Sequence, residues 1–421
     1  MKATVRGFQS KKDGVGAVFE DVYLVEGKRT PFGKLSGALS TVSPTDLGIL
    51  ASRAALRAAG VEGGEVDQTI VANIGQASAD TFFLPRHIGL YAGAPQASPA
   101  LLVQRICGSG IEVVAQAAEQ IALGKGRVVL GCGTEAMSRF PLASYGMRNG
   151  FTLGKPDFVD LLWEALDDTA AVPMGATADN LAREYKLTRD EVDRFADRSQ
   201  ARCFAAQESG YFTGELCPVD KGGTLEGPGL KPRKYRLKGG EALGADEHPR
   251  RTSLEKLAAL PFVFSKDGPT TAGSASGIVD GACAVVIASG DYVRAHGLKP
   301  LGKVRGVTSV GVEPSLMGIG PAPAIRALLP QLGLALGNID VFEINEAFGA
   351  QCLAVAKALE LDQDKLNPHG GAIAIGHPLA ASGARLALTC LRGLKQRKGQ
   401  LGVVSACIGG GQGIAMVLEA V

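Results

Sequence analysis

One succession of elements, helix, strand, glycine turn into a helix, then a strand ending in glycine, occurs twice along this chain and restricts it to a duplicated α/β plan. In the first half DLGILASRAALRAAG reads as the helix, EVDQTIVANIG as the strand, ICGSG as the turn into IEVVAQAAEQIALG, and GRVVLGCGTEAMS as the closing strand. In the second half PAPAIRALLPQLG, NIDVFEINEAFGAQ, GHPLAASG with its helix, and GQLGVVSACIGGG keep that order. Repeats of this length indicate two copies of a domain and not a solenoid. Alternating strands and helices predict mixed, largely parallel sheets layered with helices, and a cleft where the halves face each other.

Three side chains able to do chemistry stand in glycine turns of this repeat: Cys107 in RICGSG, His377 in AIGHPLAASG and Cys407 in SACIGGGQG. After Cys107, Ile111, Val114, Ala115, Ala118 and Ala122 recur at helical spacing, opposite Glu112, Gln116 and Glu119. The run ALLVQRI before it suits a buried strand. A thiol just ahead of a helix N-terminus has its pKa lowered by free N–H groups and the helix dipole. A buried, inert cysteine is the equal alternative at this position. HGGAIAIG reads as a strand before His377, and Ala384, Ala387, Leu388 and Leu391 give the following helix its stripe. Cys407 ends LGVVSA, and IAMVLEAV reads as a closing strand. A triple glycine beside a cysteine leaves N–H groups free to face a ligand. Asn345 and Glu346 end the strand DVFEI; they either join the site or cap a helix beginning at Ala347. Alone, His377 reads as a structural histidine; the four segments together point to an active site built around a thiol.

RTPFGK, ICGSG, GTEAMS, MGATADN, TAGSASG, NEAFGAQ, GGAIAIGHPLAASGAR and CIGGGQG resemble the thiolases, acyl-CoA acetyltransferases acting on 3-ketoacyl-CoA. The resemblance runs from about Asp21 to the C-terminus. It implies five layers, αβαβα, with an inserted loop domain: residues 1–20 an extension, 21–144 plus 268–297 the first half, 145–267 the loop domain over the CoA, and 298–421 the second half. It further implies Cys107 as the nucleophile that carries the acyl group and His377 as the group that takes its proton. Cys407 becomes the second acid/base, and Asn345 holds a water that forms one oxyanion hole with His377. The N–H groups of Cys107 and Gly409 form the other. By the same resemblance Met174, Arg250, Leu260, Ala272 and Ser276 line the CoA channel, while Met317, Ala347 and Phe348 wall the acyl end. Pro173, Ser274, Val279, His369 and Ala380 depart from the usual pattern without removing a catalytic atom.

The chemistry suits these residue types. A thiolate gives a thioester close in energy to that of CoA, so transfer is reversible. Fixed donors around an oxyanion are worth about 3 kcal/mol each. Coenzyme A and acyl-CoA enter as substrates, with no permanently bound cofactor expected. With 44 basic and 42 acidic side chains the net charge gives no sign of a nucleic-acid or membrane surface. Eight irregularly spaced cysteines argue against a disulfide framework or metal site and suit a reducing, cytoplasmic setting. The first twenty residues lack a signal-peptide core and read as an unstructured extension. The stretch KGGTLEGPGLKPRKYRLKGGEALG reads as irregular loop, and RKYR within it as solvated charge. A homodimer or homotetramer is expected, with pairing through a sheet edge. The alternatives are a ketoacyl-synthase-like condensing enzyme, which lacks the second cysteine and pairs its thiol with further histidines, and a catalytically silent acyl-CoA-binding homologue. A cysteine protease has the Cys and His but no use for the second thiol. Of the five histidines, His87, His248 and His296 lie outside glycine turns.

Overall fold

The computed structural model describes residues 2–10, 14–151, 153–154, 157–167 and 170–421. Both copies of the repeat become half-sheets of one design. Across the first the order is Ala100–Val103, Gln68–Ala72, Val128–Ala136, Val279–Ser289, Val22–Arg29. Across the second it is Val341–Ile344, Leu401–Ile408, Gln412–Ala420, Gly302–Gly311. Strands joined through helices pair in parallel, as helical crossovers require, and so do Gln68–Ala72 and Val128–Ala136. The remaining long strands pair antiparallel, Leu401–Ile408 turning straight back into Gln412–Ala420. Each half is therefore mixed, and antiparallel pairs outnumber the parallel ones expected. The halves meet where Gly302 pairs with Leu24 and Lys303 with Tyr23.

Helices Ser109–Ala122 and Leu379–Arg397 pack on each other between the half-sheets. Pro44–Ala59 and Leu84–Ala92 cover the outer face of the first half. Pro321–Gln331 and Gly349–Leu359 share the apolar cluster outside the second. The result is the five-layer αβαβα stack. Fifteen residues of Leu379–Arg397 are buried, among them Ala380, Ala381, Gly383 and Ala384; a helix so enclosed is mostly small and apolar, with Ser382, Arg385 and Thr389 its buried polar members.

The loop domain contributes helices Met174–Glu184 and Arg189–Glu208, the latter opened by a Thr188–Glu191 capping box. Its RKYR run is not loop. Arg233–Arg236 pairs with Gly222–Leu225, and Arg233 meets Asp46 at 2.6 Å and Asp80 at 2.8 Å, so this arginine is a tie to the first half.

Four further expectations change. Thr4–Ser10 and Gly14–Glu20 form a hairpin joined to Gly302–Gly311, because Ala17 and Phe19 bury one face of an alternating strand. Ala100–Val103 is an edge strand with Leu101 40% exposed, not a buried one. The run before His377 is a single helical turn, Ala372–Ile375. The helix after Glu346 starts at Gly349, so neither Asn345 nor Glu346 caps it.

Candidate active site

Cys107 occupies a 3-10 turn, Ile106–Gly108, at the entry to Ser109–Ala122. Ile106 has φ of 41°, which costs a β-branched residue about 1–3 kcal/mol. Ser109 holds the turn: its Oγ accepts from Arg105 N–H and donates to Ile106 O, each at 2.7 Å. A Cβ on Gly108 would lie 2.6 Å from Ile408 Cδ1, so glycine lets this turn rest on the strand that carries Cys407. There the N–H groups of Gly409 and of Cys107 itself face the Cys107 sulfur, and Cys407 lies within electrostatic reach of it.

His377 enters from the other elbow. Gly376, at φ of 94°, makes the bend, and His377 N–H donates to Gly277 O at 2.9 Å. Nδ1 pairs with Ser382 Oγ at 2.5 Å and Nε2 with Asn345 Nδ2 at 3.3 Å. With Nδ1 donating to the serine, Nε2 carries the lone pair that receives the amide hydrogen. Asn345 is fixed by its N–H to Ser405 O at 2.9 Å, and its Oδ1 is buried with no donor among the described residues. Glu346 has a structural task, accepting from Ser199, Asn367 and Ile373.

Enclosure dominates the electrostatics. Burial pushes the Cys107 thiol up to about 11 against the two N–H groups that oppose it, the reverse of the lowering expected from the helix N-terminus alone. Burial and the Cys107 charge likewise raise Cys407. Burial, helped by the Arg385 cation, takes His377 down to about 3, so the imidazole is neutral at rest. The contacts bring the two thiols together, while the neutral imidazole is held by Ser382 and Asn345 two residues before Leu379, which packs on Cys107.

Two apolar clusters flank the sulfurs. Met137 and Leu379 pack on Cys107, with Ile74, Phe140 and Leu162 beside them. Met317 and Ala347 pack on Cys407, with Met174 and Phe348 beside them. Met174 Cε fills the space that a Cβ on Gly409 would need. The remaining expected lining residues form a chain of contacts toward the loop domain. Ser276 N–H donates to Ala347 O at 3.0 Å, Leu260 fills the space over Gly273, and the Arg250 guanidinium donates to Ala272 O at 2.9 Å. Of the departures, Val279 packs against Gly376, whereas His369 stacks on Tyr211 at 3.6 Å, outside this site. Ser382, Met137 and Leu379 went unnoticed in the sequence. Only Ser382 left a trace there, a hydroxyl five residues beyond His377 in the same motif. Among the described residues no group of three or more side chains could hold a metal ion.

The signature described as "Thiolase, N-terminal domain" matches residues 22–291 and "Thiolase, C-terminal domain" matches residues 298–420. The chain is 44% identical to the mitochondrial 3-ketoacyl-CoA thiolase of Homo sapiens over 96% of its own length and 99% of the relative. It is 41% identical to a beta-ketoadipyl-CoA thiolase of Acinetobacter baylyi over 95% and 99%. The crystal structure of the human mitochondrial enzyme with CoA superposes with a TM-score of 0.89, covering 95% of this chain and 98% of that one at 44% identity. The acetyl-CoA acetyltransferase of Bacillus anthracis superposes with a TM-score of 0.88 at 38% identity, covering 98% and 100%.

Proposed function

The chain belongs to the thiolase family and is an acyl-CoA C-acyltransferase; from that premise we propose that it cleaves 3-ketoacyl-CoA with CoA through a Cys107 thioester, and how its residues divide the work. The Cys107 sulfur attacks the 3-keto carbon while its proton passes to His377 Nε2, which gives up the Asn345 amide hydrogen to receive it. As the bond between C2 and C3 breaks, the leaving enolate of acetyl-CoA takes a proton from Cys407. The thiol of a second CoA then displaces the acyl group from Cys107 as His377 and the two sulfurs return to their starting protonation. Condensation of two acetyl-CoA is the same sequence reversed.

The observation that carries this reading is the convergence of the Gly409 N–H, Cys407 and the Cys107 sulfur. Those N–H groups suit an oxyanion on the attacked carbon. The orphan Asn345 Oδ1 suits an ordered water beside His377, and so a second oxyanion site. The apolar surround of Cys107 suits the acyl chain of a fatty 3-ketoacyl-CoA. Met174, Arg250, Leu260, Ala272 and Ser276 are assigned to CoA. The open edge at Ala100–Val103 favours pairing with a second copy, and eight unpaired cysteines favour a reducing compartment such as the cytoplasm.

Cys407→Ala tests the division of labour. Acylation of Cys107 by acetyl-CoA survives, whereas carbon–carbon bond formation falls by about a hundred- to ten-thousand-fold, the usual contribution of a general base. Rapid-quench labelling that finds no acyl-enzyme in this variant contradicts the assignment.

A further inference from the structure

We propose that His248 is a positioning residue: its ring wedges the loop domain against the two backbone segments that hold the base His377. This rests on the reading of His377 as the base. The segment Asp246–Arg250 is anchored on both sides of the wedge. Asp246 accepts from the Arg29 guanidinium at 2.7 and 3.0 Å and from Phe32 N–H at 2.7 Å. Glu247 N–H donates to Phe32 O at 2.9 Å, and its carboxylate accepts from the N–H groups of Lys34 and Ala38 at 3.1 Å each. Beyond it, Arg250 N–H donates to Gln200 Oε1 at 3.1 Å.

Between these anchors the imidazole reaches into the catalytic half. Its Nδ1 lies 2.8 Å from Ala374 O. A carbonyl can only accept, so Nδ1 carries the hydrogen. The other edge of the ring faces Gly277 so closely that a Cβ there would sit 2.1 Å from Nε2. Gly277 is the residue whose carbonyl receives the His377 N–H at 2.9 Å, and its own N–H points to Ala372 O at 3.4 Å. One ring therefore touches both Gly277 and the turn Ala372–Ile375, and both bracket His377. Burial keeps the ring neutral, as a spacer between carbonyl and glycine requires.

Arg250, two residues on, belongs to the stretch assigned to CoA. Gripping the substrate far from the reacting carbon and aiming the base thus run through one short segment. Binding energy from remote parts of a substrate is used in this way to orient the reacting groups, and a misplacement of about 1 Å can cost about a hundredfold in rate.

The test is acetoacetyl-CoA thiolysis by the full-length enzyme, with kcat, KM for CoA and thermal midpoint measured for each variant. His248→Leu keeps bulk and loses the donor; it is expected to lower kcat about tenfold to a hundredfold with KM for CoA unchanged. His248→Asn places an amide hydrogen near the position of Nδ1 and recovers most of that loss. Gly277→Ala lowers kcat in the native background, but costs less when combined with His248→Ala, which empties the space the new methyl needs. Wild-type kcat in His248→Leu overturns the proposal. So does an equal loss in the Leu and Asn variants, or strict additivity of Gly277→Ala and His248→Ala. His377→Gln separates the two readings: if it retains thiolysis, the assignment of the base fails whatever His248 does.

Discussion

Cys107 is 5% exposed, faced by two backbone N–H groups and walled by Met137 and Leu379. Hydrogen bonds to sulfur favour the thiolate and the loss of water disfavours it; here the second effect is larger and the pKa stands at about 11. His377, at about 3, is neutral at the same pH. The resting state is thus thiol and imidazole, not thiolate and imidazolium, and proton transfer accompanies attack. Below about 11 the thiol form dominates, so between pH 7 and 9 the thiolate fraction rises about tenfold per unit. Alkylation of Cys107 by iodoacetamide, followed at its peptide by mass spectrometry, is expected to accelerate through pH 9 without levelling. A plateau reached near pH 7 would mean that the ion pair exists at rest. The cysteine and its glycines were legible in the sequence because the elbow is local. The direction of its pKa shift was not, since Met137, Leu379 and Gly409 arrive from three other segments.

The two elbow helices face each other through glycine. A Cβ on Gly383 would lie 2.2 Å from Ile111 N and 2.6 Å from Gly110 C, and one on Gly110 would meet the backbone of Gly383 and Ala384 at 2.6 Å. Backbone cannot rotate aside as a side chain can, so Gly383→Ala has to spread Ser109–Ala122 from Leu379–Arg397. Alanine returns about 1 kcal/mol of helix propensity, while overpacking of a filled core costs about 1–3 kcal/mol. Net destabilisation of up to about 2 kcal/mol is expected in denaturant melts. A larger fall in kcat than rise in KM should accompany it, because each helix opens at a catalytic turn. A variant as stable and active as the parent would show that the helices have slack. At this scale the periodic helices could be read from the sequence, since a stripe of four or five apolar residues fixes both type and face. AIAI could not, because four residues between glycines fit a strand and a helical turn equally. ALLV was misplaced for another reason: an apolar run shows its strand but not whether a neighbour covers the sheet edge.

Across the whole molecule the loop domain is fastened to the duplicated body by Arg29, a residue with nothing around it in RTPFGK to suggest burial. It is fully enclosed, paired with Glu215 at 2.7 Å and with both oxygens of Asp246. Phe32 and Phe212 lie against its guanidinium at 4.9 and 5.5 Å. Both carboxylates come from the loop domain, 186 and 217 residues away in the chain. Pairing over such separations leaves no periodic trace, which is why the halves could be read from the sequence and their fastening could not. Asp246 also begins the segment that ends at Arg250, so this ion cluster sits just upstream of the residue proposed to contact CoA. Removing one member of a buried cluster strands the others without water or counter-charge, at a cost of about 3–5 kcal/mol. Arg29→Met keeps much of the volume and removes the charge. It is expected to lose that much in urea unfolding followed by circular dichroism, and to raise KM for CoA, because Glu215 and Asp246 lose their counter-charge on the body and the loop domain lifts. A loss below about 1 kcal/mol, the range of an exposed ion pair, would mean that the loop domain is held elsewhere, by ties such as the Arg233 contacts to Asp46 and Asp80 and the Glu247 contacts to Phe32, Lys34 and Ala38.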